Sequence, residues 1–415
     1  MSSLRVTTNF KDSNGVDLGA QLITKDYLMS VYPEIGSQIG IPPELWTWGS
    51  GTYGRLGNAV TTGNISTPVT TSAGGTNWKQ VSSGNGLTAA IKSDGTLWTW
   101  GVGTTGQLGN NSLTNRSTPV TTFAGGTNWK QVSIGLPPSI GGDFTAAIKT
   151  DGTLWTWGSG AIGKLGNGVT TGNIPTPVTT FAGGTNWKQV SAGGNHTAAI
   201  KTDGTLWTWG VGSFGRLGNA STTSPKSTPV TTFAGGNNWK QVSCGSQHTA
   251  AIKTDGTLWT WGQGISGRLG NGATSGNIST PVTTFAGGTN WKQVSSGGSH
   301  TAAIKTDGTL WTWGLGTAGR LGNVITIGNI STPVTTFAGG TNWKQVSCGY
   351  EHIAAIKTDG TLWTWGRGTT GQLGNASATD RSTPVTTFAG GTNWKQVSSG
   401  GSHTAAIQSV DFAGF

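Results

Sequence analysis

Cysteine and methionine occur twice each in 415 residues, and only a tenth of the chain is charged. Two thiols cannot build a disulfide framework, and they fall short of the four ligands that a structural zinc needs. Charge at 10%, where about 25% is ordinary, leaves too few polar positions to clothe amphipathic helices. Glycine, present 72 times, is among the poorest helix formers, so a helical bundle is excluded. No run approaches the ~18 apolar residues that cross a bilayer, and no basic start followed by an apolar core marks a signal peptide. These absences lead us to expect a soluble chain made in a cytoplasm, with no membrane insertion. Disorder is excluded by what is present: 21 tryptophans carry far more apolar surface than a solvated low-complexity tract.

The tryptophans are ordered. Leu-Trp-Thr-Trp-Gly occurs seven times, its first indole at Trp46, Trp98, Trp155, Trp207, Trp259, Trp311 and Trp363, with a spacing of 52 residues except for one of 57. Asn-Trp-Lys-Gln-Val-Ser also occurs seven times, at Trp78, Trp129, Trp187, Trp239, Trp291, Trp343 and Trp394, so every tryptophan is a repeat position. Residues 279–314 show one unit: Thr280-Pro-Val-Thr-Thr, Trp291 to Ser295, His300 to Lys305 and Leu310 to Trp313 read as short strands between Gly-rich joints. Four strands per ~50 residues, repeated, predict an all-β fold, a seven-bladed β-propeller of four-stranded antiparallel blades. Asp-Gly, the strongest short hairpin signal and here expected as a type I′ turn, occurs at Asp94, Asp151, Asp203, Asp255, Asp307 and Asp359, six times rather than seven. The repeat starts partway through a unit at Glu44-Leu45-Trp46 and stops at Ala406-Ile407-Gln408-Ser409. The last two strands must therefore join the first two in a composite N/C-terminal blade that closes the ring. Residues 45–415 are assigned to the propeller and 1–44 to a short N-terminal docking arm.

Gly-x-x-His-Thr, Asp-Gly-x-Leu-Trp-x-Trp-Gly and Gly-x-Leu-Gly, spread over all seven units, resemble the repeat of the regulator of chromosome condensation family. That resemblance implies the same propeller. The family includes a guanine nucleotide exchange factor, the plant UV-B photoreceptor and a secreted β-lactamase inhibitor, so it implies no single function. The photoreceptor's sensing indoles precede the histidine in Gly-Trp-Arg-His-Thr, whereas this chain has Gly297-Gly-Ser-His300-Thr; a photosensing role loses its residues.

Each motif has a plain structural reading. Gly49-Ser-Gly51-Thr-Tyr-Gly54 fits the dinucleotide fingerprint, but no helix follows and the spacing recurs in all units, so it is read as a turn. His196, His248, His300, His352 and His403 share one repeat position that Leu87 and Phe144 also occupy, and are read as structural imidazoles bonded to blade backbone. Trp98 and Trp100, two apart on a strand, point to one side and are expected between blades. Cys244 and Cys348 sit at one repeat position two blades apart, too distant for a bridge. Six of the ten repeat-region acids are hairpin aspartates. No catalytic, cofactor-binding or metal site is expected, and no cofactor. Basic residues form an even ring, at Arg55, Lys164, Arg216, Arg268 and Arg320 before Leu-Gly-Asn and at the Lys of Asn-Trp-Lys, rather than the stripe of a nucleic-acid face, so nucleic-acid binding is not expected.

Three stretches differ between units: after Trp-Gly, after Leu-Gly-Asn, and between Val-Ser and Thr-Ala-Ala. In an up-and-down blade these all leave one face of the disc, whereas the near-constant Thr-Asp-Gly-Thr and Phe-Ala-Gly-Gly-Thr-Asn joints leave the other. One face is thus read as diversified for recognition and the other as scaffold. The candidate binding residues are Tyr53, Ile162, Phe214, Ile265, Tyr350, Glu351 and, in an insertion unique to one unit, Leu136, Pro137, Pro138 and Ile140. Thr24 can cap a short helix over Lys25 to Val31 that puts Tyr27, Leu28, Val31 and Tyr32 on one apolar side as a docking arm. That arm resembles attachment segments of bacteriophage appendages. With near-identical repeats and little Cys or Met, it leads to the expectation of a non-enzymatic bacteriophage virion structural protein of fibre, collar or decoration type. It would be assembled in the host cytoplasm, dock to other virion proteins through residues 1–44, and present the variable face to a host surface or protein ligand. The alternatives are an intracellular, cytoplasmic regulator resembling the exchange factor, with the Leu136 to Ile140 loop as a wedge on a GTPase, and a secreted inhibitor or adhesin.

Overall fold

The computed structural model describes residues 41–74, 77–136 and 142–410, whose strands form seven four-stranded antiparallel sheets. Tyr27, Leu28, Val31 and Tyr32 of the arm lie outside the described residues, as do Pro137, Pro138 and Ile140 of the insertion. Pro43–Gln408 is one compact unit, and it is the propeller that the repeat predicts.

We number the blades along the chain from the first Asn-Trp-Lys strand. Blade three is typical: Trp187–Ala192, His196–Lys201, Leu206–Gly210 and Lys226–Thr231 lie side by side in chain order from axis to rim. Blades one to six are built this way, and the seventh is composite, in the order Asn64–Thr70, Ile41–Ser50, His403–Val410, Trp394–Ser399. In the second strand, His-Thr-Ala-Ala-Ile, every residue but the final lysine is buried, because neighbouring blades cover both faces; the alanines let those sheets approach. The core therefore lies between blades. Ala146, Ile148 and Leu154 of blade two pack on Trp187, Val190, Ala199 and Trp209 of blade three. Trp187 stands edge-on to Trp207 and Trp209 with ring centroids 6.4 and 6.3 Å apart, and Trp209 Nε1 donates across the gap to Lys164 O at 3.0 Å. The indoles thus fill and tie each gap, as their spacing predicts. The Leu-Gly glycine shapes the same contact: at Gly166 (φ +68) a Cβ would meet Trp209 Nε1 at 2.6 Å.

The hairpin turn differs from the expected type I′. Of the Asp203-Gly204 pair only Gly204 has positive φ (+83), and its N–H donates to Lys201 O at 3.0 Å. This is a type I turn followed by a left-handed glycine, a three-residue loop. Asp203 acts through its side chain, accepting from Thr205 N and Oγ1 at 2.9 and 2.7 Å. Trp207 Nε1 then donates to Thr205 Oγ1 at 3.0 Å. In the composite blade Glu44 replaces that threonine, and Trp46 Nε1 is buried without a partner among the described residues.

At the axis each inner-strand glutamine clamps the next blade. Gln189 Nε2 donates to Val242 O at 3.2 Å while its Oε1 accepts from Val242 N at 3.0 Å, so one primary amide stands in for a peptide group of a missing ladder. The pairing recurs in all seven gaps, including Gln396 with Val81 across the seam. The glutamines and the serines two residues on line a central channel of about 260 Å³.

Candidate binding face

Because consecutive strands are antiparallel, the first-to-second and third-to-fourth connections of each blade leave one face, which we call the crest. These are the variable stretches. In five units the third-to-fourth loop opens with a 3-10 turn whose central residue is left-handed: Tyr53 (φ +66), Ile162 (+63), Phe214 (+63), Ser266 (+65) and Ala318 (+60). The glycine-rich motif was expected to be a plain turn; it is a turn held in a conformation that costs an L-residue about 1–2 kcal/mol. Glycine or asparagine would relieve that cost, and a β-branched residue such as Ile162 bears it worst. On the crest Tyr53 and Ile265 are each 50% exposed and Tyr350 39%, with Ile162, Phe214 and Glu351 half-buried. Leu136 is only 6% exposed and packs inward, away from the displayed surface.

Beneath the crest lies the ring of basic residues before Leu-Gly. Arg55, Lys164, Arg216, Arg268 and Arg320 are all buried in third-to-fourth loops; the four arginines reach the first loop of the next blade, whereas Lys164 turns to the first loop of its own. Arg216 donates from Nε to Ser213 O at 3.0 Å and from Nη1 to Ser246 O at 3.5 Å; Arg268 donates to Ile265 O at 2.9 Å and Gly298 O at 3.2 Å. Lys164 Nζ donates to Gly142 O at 2.6 Å. Aromatic rings stack on some of these cations: Tyr53 on Arg55 at 5.9 Å and Phe214 on Arg216 at 5.3 Å. Gln107 and Gln372 hold the position in the other two units, their Oε1 accepting from Thr105 and Thr370. That interchange of a cation with a neutral amide was the sequence signal for burial.

Two acids face the ring. Burial pushes the Asp143 carboxyl up to about 6, opposed by the charge of Lys164, the Gly86 N–H, Arg55 and Asn85. Burial in turn draws Lys164 down to about 8. Glu351 pairs with Arg320 at 3.2 Å and with Arg367. Burial lowers Arg216 and Arg268 to about 10, and neither has an ion-pair partner among the described residues.

The histidines are wholly buried, but their partners are side chains rather than the expected backbone. His196 Nε2 lies 2.8 Å from Thr249 Oγ1 of the next blade, and His248, His352 and His403 repeat the bond to Thr301, Thr404 and Thr88. His300 faces Ile353 instead, and both its ring nitrogens lack partners among the described residues. Burial pushes the Cys244 and Cys348 thiols up to about 12, so neither is a thiolate nucleophile at neutral pH.

The opposite face, the base, is less bland than its constancy implies. The seven lysines of Asn-Trp-Lys are exposed there. So are six phenylalanines of the Phe-Ala-Gly-Gly joint, at 66–74%. The lysines ending the second strands behave differently, each lying over two indoles, as Lys201 does at 4.8 and 4.7 Å from Trp187 and Trp207.

Residues 170–411 match the family described as RCC1-like domain, and residues 44–91 and 94–148 match the regulator of chromosome condensation (RCC1) repeat. The ultraviolet-B receptor UVR8 of Arabidopsis thaliana is 31% identical over 341 residues, 81% of this chain and 76% of that protein. The chain belongs to the RCC1 repeat family. A second relative of this RCC1-like propeller, the E3 ubiquitin-protein ligase HERC2 of mouse, is 28% identical over 92% of this chain, but the match spans only 8% of the ligase. Among solved structures, human WBSCR16 superposes with a TM-score of 0.76 at 20% identity, covering 88% of this chain and 98% of its own. Prp20p of Saccharomyces cerevisiae gives 0.74 at 18%, covering 90% and 92%. These likenesses bear out the propeller.

The sequence relatives overturn the expectation of a bacteriophage virion protein engaged in host attachment and located in a virion: they are RCC1-like proteins of plant and mammal. The scarcity of Cys and Met behind that expectation has a simpler physical source, a core of Trp, Ala, Ile and Leu pressed between sheets.

Proposed function

We propose that this RCC1-like propeller is a non-enzymatic regulator inside the cell that binds a protein partner through its crest, with Tyr53, Ile162, Phe214, Ile265, Tyr350 and Glu351 as contacts. One observation carries the reading: in five crest loops the 3-10 turn holds a non-glycine residue in left-handed conformation, three of them large and apolar. Strain kept at a variable position of an otherwise regular repeat supports selection for the side chain displayed there. Prp20p, which shares the fold, is described with binding to Gsp1p and histones, which places protein binding within the reach of such a scaffold. HERC2's ligase activity belongs to a protein of which this chain spans 8% and is not carried over.

Affinity isolation with the whole chain tests this. Wild type and a base-face variant (Lys79→Gln, Lys188→Gln, Lys292→Gln) should recover the same protein partner, and Tyr53→Ser, Phe214→Ser, Ile265→Ser together should lose it. Retention of that partner by the crest variant would falsify the proposal. A nucleotide-exchange assay on any GTPase recovered then decides whether regulation takes that form.

A further inference from the structure

Around the crest the buried cations are balanced in some blades and not in others. Asp143 lies within electrostatic reach of Lys164 and Arg55, and Glu351 bridges Arg320 and Arg367. Arg216 and Arg268, in successive blades three and four, have only carbonyl oxygens as hydrogen-bond partners among the described residues, although they are 1% and 5% exposed. A guanidinium keeps its proton under these conditions, so two desolvated positive charges stand side by side without a counter-charge.

Independent features at the same place point outward to a ligand. Ser246, whose carbonyl receives Arg216, is itself 5% exposed, and its hydroxyl has no partner among the described residues. The aromatic lid is missing as well. Phe214 covers Arg216 and Tyr53 covers Arg55, but in the Arg268 unit that position is Ser266. Tyr350 stands at the edge, packed so closely on Gly298 that a Cβ there would meet its Cδ2 at 2.7 Å.

We propose that Arg216 and Arg268, with the Ser246 hydroxyl as a further donor and Tyr350 at the rim, form a receptor for a carboxylate that an acidic segment of the partner protein inserts at the crest over blades three to five. The ring supplies its own precedent: where its cations have a charged partner, that partner is a carboxylate, Asp143 or Glu351, and here the partner would bring it. A guanidinium fork fits a carboxylate with two parallel N–H donors, which gives direction as well as charge. The inference rests on the crest being the binding face, and it adds the chemistry of what is bound.

Glutamine is the natural test substitution, since Gln107 and Gln372 already occupy this position in two units. The probe is fluorescein-labelled octaglutamate, followed by anisotropy with the full chain. Wild type should bind saturably. Arg216→Gln and Arg268→Gln should each weaken binding about tenfold and the pair abolish it, while the base-face variant Lys79→Gln, Lys188→Gln, Lys292→Gln leaves it unchanged. Octaglutamate should raise the thermal midpoint of wild type but not of the double variant, whose midpoint without probe is no lower than wild type. The proposal is overturned by no binding to wild type, by loss through the lysine variant instead, by displacement at equal concentrations of inorganic phosphate, or by a double variant that melts well below wild type. If octaglutamate fails while the Tyr53, Phe214 and Ile265 variant still loses its partner, the crest remains the binding face and only the carboxylate receptor falls.

Discussion

A threonine hydroxyl decides which nitrogen carries the proton in four of the five buried histidines. Thr249 Oγ1 donates to Arg216 O at 2.9 Å, so it can only accept from His196, whose Nε2 is therefore the protonated nitrogen and whose Nδ1 is bare. Desolvation, with the nearby arginines, holds all five imidazoles below their ordinary pKa, His352 at about 3. The sign follows from linkage. Below about pH 6.5 the unfolded chain takes up protons that the folded ring refuses, so stability falls as pH drops from there toward the folded-state values. Asp143, raised to about 6, works in the opposite direction, but it is one group against five. Denaturation midpoints measured between pH 7 and 5 should fall, and His300→Leu should reduce the linked proton uptake by about one. Ile353→Thr should restore the bonds to His300 and to Arg320 O that the other His–Thr pairs predict, stabilising by about 1 kcal/mol in urea titrations. The shared histidine position was legible in the sequence. The Thr partner was not, because it lies 52 or 53 residues away on the neighbouring blade, or 315 across the seam, and no local pattern links the two.

At the scale of the element, repetition gave the chain an internal alignment, and strands, their order and the composite closure could be read from it directly. What it hid was depth. Arg216 reads as surface beside Leu-Gly-Asn, yet the loop folds it under the crest; Phe233 reads as scaffold because its joint barely varies, yet it is 71% exposed. Constancy between units reports equal environment, and equal environments include solvent. Two substitutions separate these roles. Gln241→Ala removes the amide clamp and strands Val294 N and O at the axis, and should cost about 1–3 kcal/mol, whereas neighbouring Lys240→Ala should change stability by less than about 0.5 kcal/mol. Ile162→Gly should be neutral or stabilising by up to about 1 kcal/mol, since relief of the left-handed backbone offsets the added freedom of the unfolded chain. Calorimetry of the three variants checks both expectations.

For the whole propeller, closure rests on His403–Val410 pairing with Ile41–Ser50 on one side and Trp394–Ser399 on the other. A chain ending at Asn393 would leave that strand an unpaired edge and the two flanking blades each with one bare side; light scattering should then find oligomers where the full chain scatters as a smaller species. Closure itself is entropically mild. The clamp between Gln396 and Val81 spans 315 residues against 52 for Gln80 with Val132. The logarithmic loop penalty makes that difference only about 1.6 kcal/mol. Because the bond at the seam is the same bond as in every other gap, the last blade has no chemical means of telling its own first blade from that of another molecule. Only proximity makes the choice, and a crowded solution of half-closed chains would erode it.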